Sequence, residues 1–305
     1  MKEENGGICL NGVFPALLTP ISDLGKIKKQ GLRQLISWEL SKGADGFYIG
    51  GATGECYTME TSAREELAQI ALEAMEGRGK AIIHIGSYSA ASGVRLARQA
   101  QRLGADAISA TPPPVYRYGV DELVEYYRIL AESVTLPVIV YINSMLGDCD
   151  AVEVMERLLE IPNVVGAKFT QNAYYNLFRL SKLKNGGLLL LNGPDETFLC
   201  GLVMGACGGI GSTYNIMPGI YQKIFRAFQE RDMETAIQWQ RKASEIVGIL
   251  LKFGQIQAMK YLFARKGIDL GKAQTPAREL SLEEKEALVM ELKAVGYFSE
   301  YPDME

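Results

Sequence analysis

The chain has 305 residues, of which 48% are hydrophobic and 22% are charged, and its formal net charge is −4 at pH 7. These values are typical of a globular protein, and the absence of a basic block argues against a nucleic acid partner. No apolar run approaches the roughly 20 residues of a membrane span, and the segment Met1–Leu10 lacks the apolar core of a signal peptide.

Strand-like and helix-like patterns alternate along the chain. Short apolar, β-branched runs predict eight strands, at Val13–Leu18, Gly46–Ile49, Ala81–Ile85, Ala107–Ala110, Val138–Ile142, Val164–Phe169, Leu188–Leu191 and Gly208–Gly211. Stretches with helical periodicity lie between them, among others at Lys29–Ser41, Ala63–Met75, Gly93–Leu103, Asp121–Ser133 and Ala151–Leu159. This alternation indicates βαβ units and therefore a parallel sheet.

A similar helix-to-strand joint recurs along the chain, at residues 40–46, 101–107 and, more loosely, 202–208. In each joint a helix ends at a glycine and a short turn leads into a strand. Such joints favour a (β/α)8 TIM barrel over a doubly wound sheet, because no GxGxxG fingerprint follows the first strand. We expect a barrel over residues 1–216, with a C-terminal helical extension packed on it over residues 217–305.

Side chains that commonly bind catalytic metals are scarce in this sequence. The single histidine, His84, lies in an apolar strand-like run, which favours a hydrogen-bonded core histidine over a catalytic one. The five cysteines are scattered without CxxC spacing, which favours free thiols over disulfides or a zinc site. We therefore expect a cytoplasmic protein without a metal.

Lys168 places a cation at the end of the apolar sixth predicted strand. Because strand side chains alternate between faces, Gly166 and Thr170 share the face of Lys168 and would lie beside it. Burial of a lysine generally disfavours the ammonium, and the neutral amine is the nucleophile that a Schiff base requires. An ordinary lysine at a strand end is the alternative interpretation.

Other unusual residues also follow predicted strands, where the active sites of barrels lie. The glycine-rich segment 50–55 after strand two can bind an anion with backbone N–H groups, or form a simple turn. Tyr141 ends strand five, where a phenol can relay a proton or only pack. Asp195 and Glu196 follow strand seven and can bind polyol hydroxyls or stabilise a helix N-terminus. Residues 208–215 supply small residues and hydroxyls.

Segments 50–55, 166–170, 192–196 and 209–215 together resemble the dihydrodipicolinate synthase / N-acetylneuraminate lyase family. The similarity runs from about Gly12 to about Phe263, and the last two segments are most similar to the N-acetylneuraminate lyase branch. The resemblance implies a homotetrameric class I aldolase that needs no cofactor. Its small-molecule substrates would be pyruvate and a sugar acid.

The resemblance also implies roles for individual residues. Lys168 would form the Schiff base with the keto acid, Tyr141 would exchange a proton with the substrate hydroxyl, and Tyr116 would complete the proton relay of a neighbouring subunit. Ala52 and Thr53 would hold the carboxylate of the keto acid. The residues implied to bind the sugar-chain hydroxyls are Thr170, Gly193, Asp195, Glu196 and Ser212.

Two positions depart from the family pattern. The family's Tyr-Asn-x-Pro is here Tyr-Ile-Asn-Ser at residues 141–144, and neither Met145 nor Leu146 supplies the arginine with which dihydrodipicolinate synthases bind a second carboxylate. This argues against that activity, because an unpaired carboxylate in a dry pocket is costly. Ala52 stands where the family commonly has serine or threonine, so a hydroxyl beside the tyrosine is missing.

The sequence thus predicts an enzyme that reversibly cleaves N-acetylneuraminate to N-acetylmannosamine and pyruvate. Three alternatives stay open: an aldolase for another 2-keto-3-deoxy sugar acid, a 4-hydroxy-tetrahydrodipicolinate synthase, and a non-catalytic protein that binds a sugar acid or pyruvate. The retention of both Lys168 and Tyr141 argues against the non-catalytic alternative.

Overall fold

A nearly closed barrel of eight parallel strands forms the centre of the computed structural model, which describes residues 9–305. The N-terminal segment that lacks a signal-peptide core lies largely outside the described residues. The strands are β1 (Gly12–Pro15), β2 (Gly46–Ile49), β3 (Lys80–His84), β4 (Ala107–Ala110), β5 (Val138–Ile142), β6 (Val164–Phe169), β7 (Leu189–Asn192) and β8 (Gly208–Gly211). A parallel bridge between Ala16 and Tyr48 joins the two end strands of the sheet.

Helices alternate with these strands and surround them. Those that follow the strands are α1 (Lys29–Ser41), α2 (Thr61–Met75), α3 (Ala90–Arg102), α4 (Val120–Glu132), α5 (Ala151–Leu158), α6 (Tyr174–Leu180), α7 (Phe198–Val203) and α8 (Pro218–Gln229). Helix α8, which follows the last strand, packs against the first strand, β1. The remaining helices are α9 (Met233–Phe253), α10 (Gln255–Arg265), α11 (Leu282–Ala294) and α12 (Tyr297–Glu300).

The TIM barrel expected from the sequence is confirmed, and β2, β4, β5, β6 and β8 have the predicted bounds. The first apolar run is longer than β1, because the N–H of Leu18 leaves the sheet and donates to the Asn215 side chain at 2.9 Å. Helix α3 begins at Ala90 rather than at Gly93, because the hydroxyl of Ser89 accepts a hydrogen bond from the N–H of Ser92 and caps the helix.

The apolar side chains on the two faces of the strands belong to two different hydrophobic clusters. One fills the barrel interior and includes Phe14, Tyr48, Ile139, Tyr141 and Leu191, whereas the other packs the outer faces of the strands against the helices. In β6, Ala167 and Phe169 belong to the outer cluster. Because strand side chains alternate, Gly166 and Lys168 face the interior, as the sequence predicts.

Gly166 lets β6 and β7 approach closely. A Cβ atom at this position would lie 2.2 Å from the carbonyl oxygen of Leu189, which is backbone and has little freedom to move. The glycine therefore fixes the spacing of the two strands just below Lys168, whose register partners are Tyr141 in β5 and Leu191 in β7. No helix among residues 9–305 is both long and apolar enough to cross a membrane.

Substitution of Gly166 by alanine should destabilise the fold. The added methyl group meets the Leu189 carbonyl, and such overpacking typically costs about 1–3 kcal/mol of unfolding free energy. Gly248→Ala is the matched control, because no atom lies within 4 Å of a Cβ at this position in α9 and alanine favours a helix. Urea denaturation of both variants measures the difference, and equal stability of the two would contradict a steric role for Gly166.

Candidate active site at the carboxyl ends of the strands

Lys168 lies at the mouth of the barrel with its side chain buried, at 5% exposure. Its Nζ atom is 4.1 Å from the ring centroid of Tyr141 and 4.6 Å from that of Tyr48. The other buried lysine, Lys260, is paired with Glu55, whereas Lys168 forms no salt bridge with any of the described residues. The faces of two phenol rings thus accommodate the Lys168 side chain, and they favour a cation by the cation–π interaction.

Tyr48 forms the floor below Lys168 and was not identified from the sequence. Its hydroxyl donates to the Ser109 hydroxyl at 3.1 Å, and its ring packs edge-on against Tyr141 at 6.1 Å between centroids. Burial raises the pKa of Tyr48 well above its usual value, so the phenol is neutral. The inward alternation of β2, which ends one residue later, is the sequence signal that would have identified it.

His84 is buried and hydrogen-bonded, as the sequence predicts, and its tautomer follows from its partners. The N–H of Thr111 donates to Nε2 at 3.4 Å, so the proton lies on Nδ1, which donates to the Gly50 carbonyl at 3.0 Å. Burial, reinforced by the positive charge of Arg64, lowers the pKa of His84 well below its usual value. The neutral imidazole therefore connects β3 to the start of the glycine-rich loop.

The glycine-rich loop, residues 50–55, presents Ala52 to solvent and buries Thr53. The Thr53 and Ser212 hydroxyls are 2.7 Å apart, so one of them donates to the other across the barrel mouth. The loop ends at Glu55, whose φ of 58° lies in the left-handed region. The structure therefore joins the two hydroxyl-bearing loops that follow β2 and β8.

A buried ion pair anchors this loop to the C-terminal helices. Glu55 accepts a hydrogen bond from Nζ of Lys260 in α10 at 2.6 Å and another from the N–H of Gln274 at 2.5 Å. Both side chains of the pair are at most 7% exposed. Burial lowers the pKa of Lys260, and the negative charge of Glu55 opposes this effect. Neither residue was assigned a partner from the sequence, because 205 positions separate them.

Beside Lys168 lies a cavity of about 290 Å³ that contains all five residues implied to bind the sugar chain. They are Thr170, Gly193, Asp195, Glu196 and Ser212. The sequence interpretation missed the remaining wall, which consists of Gln171, Asn172, Pro194, Val247, Leu251 and Gln255. The last three come from α9 and α10, so no local motif near the strand ends indicates them.

The polar groups of this cavity differ in their exposure and in whether they already form hydrogen bonds within the protein. The buried Thr170 hydroxyl has no hydrogen-bond partner among the described residues, and a Cβ at Gly193 would lie 1.9 Å from it. Gly193 therefore leaves the space that this hydroxyl occupies. Asp195 is buried, and one oxygen accepts from the N–H and the hydroxyl of Thr213 at 2.7 and 2.8 Å. Burial raises the pKa of Asp195 to about 6, whereas Glu196 is exposed at the rim.

Tyr116 is not part of this arrangement within one chain. Its side chain is 72% exposed on the segment between β4 and α4, and the side chains of the preceding Val115 and of Tyr88 are exposed as well. After β5, the altered segment forms a short 3-10 helix in which Leu146 is buried and Met145 lies 3.8 Å from the hydroxyl of Tyr57. No group of three or more His, Cys, Asp or Glu residues within 9–305 is arranged to hold a metal ion.

Comparisons with known proteins agree with this geometry. Residues 9–295 match the model of the Dihydrodipicolinate synthetase family, and the protein belongs to that family. Among curated relatives, an N-acetylneuraminate lyase of Escherichia coli (strain SMS-3-5 / SECEC) is 37% identical over 253 residues, which cover 82% of this chain and 85% of the relative.

The comparison with solved structures agrees with these sequence matches. CdNal from Clostridium difficile, in complex with mannosamine, has a TM-score of 0.90 at 29% identity and covers 94% of this chain and 100% of its own. The N-acetylneuraminate lyase of Proteus mirabilis has a TM-score of 0.89 at 29% identity, over 94% of this chain and 99% of its own. The superfamily and the branch predicted from the sequence are thus confirmed.

Breaking the Glu55–Lys260 pair should destabilise the protein and loosen the glycine-rich loop. Lys260→Met leaves a buried carboxylate without its cation, which typically costs about 3–5 kcal/mol of unfolding free energy. Adding Glu55→Gln to this variant should recover part of the loss, since an amide oxygen can still accept from the N–H of Gln274.

The control for this prediction is Lys252→Met, which removes a pair with Glu291 whose lysine is 62% exposed. Exposed pairs contribute at most about 1 kcal/mol, so this variant should unfold nearly as the unmodified protein does. Chemical denaturation measures all of these variants. A loss for Lys260→Met no larger than that of the control would show that the buried pair does not anchor the loop.

Proposed function

We propose that the protein is a class I aldolase that reversibly cleaves N-acetylneuraminate to N-acetylmannosamine and pyruvate. The observation that carries the proposal is the position of Lys168, which is buried without an acidic partner among residues 9–305, at the register level of Tyr141 and two positions before Thr170, a residue of the polar cavity. An amine in such a place can add to a ketone. The relatives named N-acetylneuraminate lyase support the choice of substrate.

In the proposed cleavage, Nζ of Lys168 attacks the C2 carbonyl carbon to give a carbinolamine. The phenol of Tyr141 gives its proton to the departing hydroxyl of the carbinolamine, so that water leaves and an iminium ion and a phenolate remain. The oxygen of Tyr141 takes the proton of the C4 hydroxyl as the bond between C3 and C4 breaks, and the electron pair of that bond moves into the iminium to give an enamine. The aldehyde end leaves as the amino sugar. Protonation of the enamine at C3 and hydrolysis of the imine release pyruvate and restore the lysine.

The glycine-rich loop is proposed to hold the carboxylate of the keto acid. The backbone N–H groups of Ala52 and Thr53 would donate to it, together with the Thr53 hydroxyl. The contact between the Thr53 and Ser212 hydroxyls supports this role, because it fixes the orientation of the threonine before the substrate binds.

The cavity next to Lys168 is proposed to hold the polyol part of the substrate. Thr170 offers a buried hydroxyl without a partner, and Glu196 offers an exposed carboxylate at the rim. Asp195 keeps one oxygen that is not bonded to Thr213, so it can position the loop and accept from a substrate hydroxyl as well. Gly193 and Ser212 complete this polar surface.

An aldolase for another 2-keto-3-deoxy sugar acid is the second candidate. The altered segment after β5 supports it, because this segment departs from the family pattern directly after Tyr141, and its Met145 contacts the Tyr57 hydroxyl. A 4-hydroxy-tetrahydrodipicolinate synthase is disfavoured, since Leu146 is buried and Met145 carries no charge where that activity needs an arginine.

We further propose that the protein is cytoplasmic and acts as a homotetramer in which Tyr116 reaches the site of a neighbouring subunit. Five free cysteines suit a reducing compartment. The exposed apolar side chains of Tyr88, Val115 and Tyr116 support an interface on this side of the barrel, because exposed apolar groups of this size favour burial by a partner.

A panel of sugar acids tests the proposed function. We expect pyruvate release from N-acetylneuraminate and no condensation of pyruvate with aspartate semialdehyde, since neither Met145 nor Leu146 supplies the arginine for the second carboxylate. A coupled lactate dehydrogenase assay measures both reactions. Faster release from a 2-keto-3-deoxy acid without the acylamino group would support the second candidate, and release from no member of the panel would contradict both.

Glu196 provides a sharper test of the polyol site. Glu196→Ala should lower kcat/KM for the sugar acid about ten- to a hundredfold, as expected for a lost charge-assisted hydrogen bond of roughly 1.5–3 kcal/mol. Because Glu196 is exposed, the fold should be unchanged. Glu160→Ala is the control, since this exposed carboxylate follows α5 at the opposite end of the barrel. Equal kinetics of the two variants would exclude Glu196 from substrate binding.

A further inference from the structure

The chain lacks a side-chain hydroxyl at Ala52, although Tyr141 needs a hydrogen-bonding neighbour if it is to exchange protons. The two obvious substitutes within one chain are not free for this task. The Thr53 hydroxyl is 2.7 Å from that of Ser212, and Tyr116 is 72% exposed on the surface. A different pair of hydroxyls, those of Tyr57 and Thr111, lies at the end of β4, the strand that neighbours the strand of Tyr141.

Tyr57 follows the glycine-rich loop, in a short 3-10 helix at Cys56–Thr58. Its hydroxyl is 2.6 Å from the Thr111 hydroxyl, and its ring is held edge-on against Tyr88 at 5.7 Å between centroids. The side chain is partly buried, so its orientation is set by these contacts. The loop proposed to bind the carboxylate thus continues directly into a phenol that reaches over the end of β4.

The strand register places Thr111 beside Tyr141. Ala110 in β4 pairs with Val140 in β5. Thr111 and Tyr141, the residues that follow them, are therefore opposite each other at the next level of the sheet. Ser109 faces the interior, where it accepts a hydrogen bond from Tyr48, and alternation gives Thr111 the same direction. Thr111 is only 1% exposed. Since neighbouring strands are about 4.8 Å apart, Thr111 is the neighbour of Tyr141 across the sheet and on the same face of it.

The direction of the hydrogen bond between Tyr57 and Thr111 decides whether Thr111 can donate to Tyr141. A hydroxyl has one proton, so Thr111 can donate to Tyr141 only if Tyr57 donates to Thr111. Burial raises the pKa of Tyr57 to about 12, which keeps that proton in place. The only other acceptor recorded for the Tyr57 hydroxyl among residues 9–305 is the sulfur of Met145 at 3.8 Å, and thioethers are weak acceptors.

We propose that Tyr57, acting through Thr111, is a positioning residue for Tyr141 and replaces the hydroxyl that the chain lacks at Ala52. This inference rests on the proposed aldolase function. Tyr57 donates to Thr111, and Thr111 donates to the oxygen of Tyr141 while that oxygen is a phenolate. The phenolate then takes the proton of the substrate hydroxyl, and neither Thr111 nor Tyr57 gains or loses a proton.

The test compares Tyr57→Phe with the unmodified enzyme on the best substrate of the panel. The ring and its packing on Tyr88 are retained, so only the hydroxyl is lost. We expect kcat/KM to fall about three- to tenfold, the effect of one neutral hydrogen bond. The pH of half-maximal kcat/KM on the acid side should rise, and the amount of Schiff base with pyruvate, measured by mass spectrometry after reduction, should be unchanged.

Further variants separate this role from a structural one. Thr111→Val should reproduce the loss, Thr111→Ser should retain activity, and the double variant Tyr57→Phe/Thr111→Val should be no worse than either single variant, because both changes break one chain of hydrogen bonds. Tyr88→Phe is the matched control and should leave the kinetics and the pH profile unchanged.

Two results would overturn the inference. One is a Tyr57→Phe variant with unmodified kinetics and pH profile, and the other is a double variant in which the two losses multiply. These results leave the proposed function intact if pyruvate still forms its adduct. An unmodified protein that forms no adduct would instead overturn the proposed function and this inference together.

Discussion

A lysine at the mouth of an apolar barrel, without an acidic partner in the part of the chain that the structure describes, is the constraint on which the rest of the site depends. Lys168 is 5% exposed and rests between the ring faces of Tyr141 and Tyr48, at 4.1 and 4.6 Å from their centroids. An acid at this distance would hold the amine as a tightly paired ammonium, whereas ring faces stabilise a cation less strongly. The amine is therefore not held in an ion pair with a described residue, and its place between two ring faces suits the iminium of the proposed reaction, which is also a cation.

The loops around this lysine are held by contacts that are remote in sequence. His84, as a neutral imidazole, fixes the start of the glycine-rich loop, and the Glu55–Lys260 pair fixes its end to α10. The C-terminal helices also complete the cavity, since Val247 and Leu251 of α9 form part of its wall. The helices that follow the barrel are thus joined to the site at two points, and a change in them would alter the glycine-rich loop and the cavity together.

Much of the fold and part of the site could be predicted from local patterns. The apolar runs are strands because the barrel buries both of their faces, and the alternation in β6 correctly places Lys168 inside the barrel. The alternation in β2 also marks Tyr48, which the sequence interpretation missed. Local patterns could not join Glu55 to Lys260 across 205 positions or bring α9 to the cavity. Asp195 was expected to bind substrate hydroxyls or to stabilise a helix N-terminus, and its bonds to Thr213 became evident only when β7 and β8 lay side by side.

Chemical trapping of the Schiff base tests the central claim, that Lys168 is the nucleophile, most directly. The protein would be reduced with sodium borohydride in the presence of pyruvate, and the modified residue located by peptide mapping. We predict one pyruvate-derived adduct per chain, on Lys168, and none in Lys168→Arg, because a guanidinium stays protonated and cannot form the imine. An adduct on the other buried lysine, Lys260, or no adduct at all, would contradict the claim.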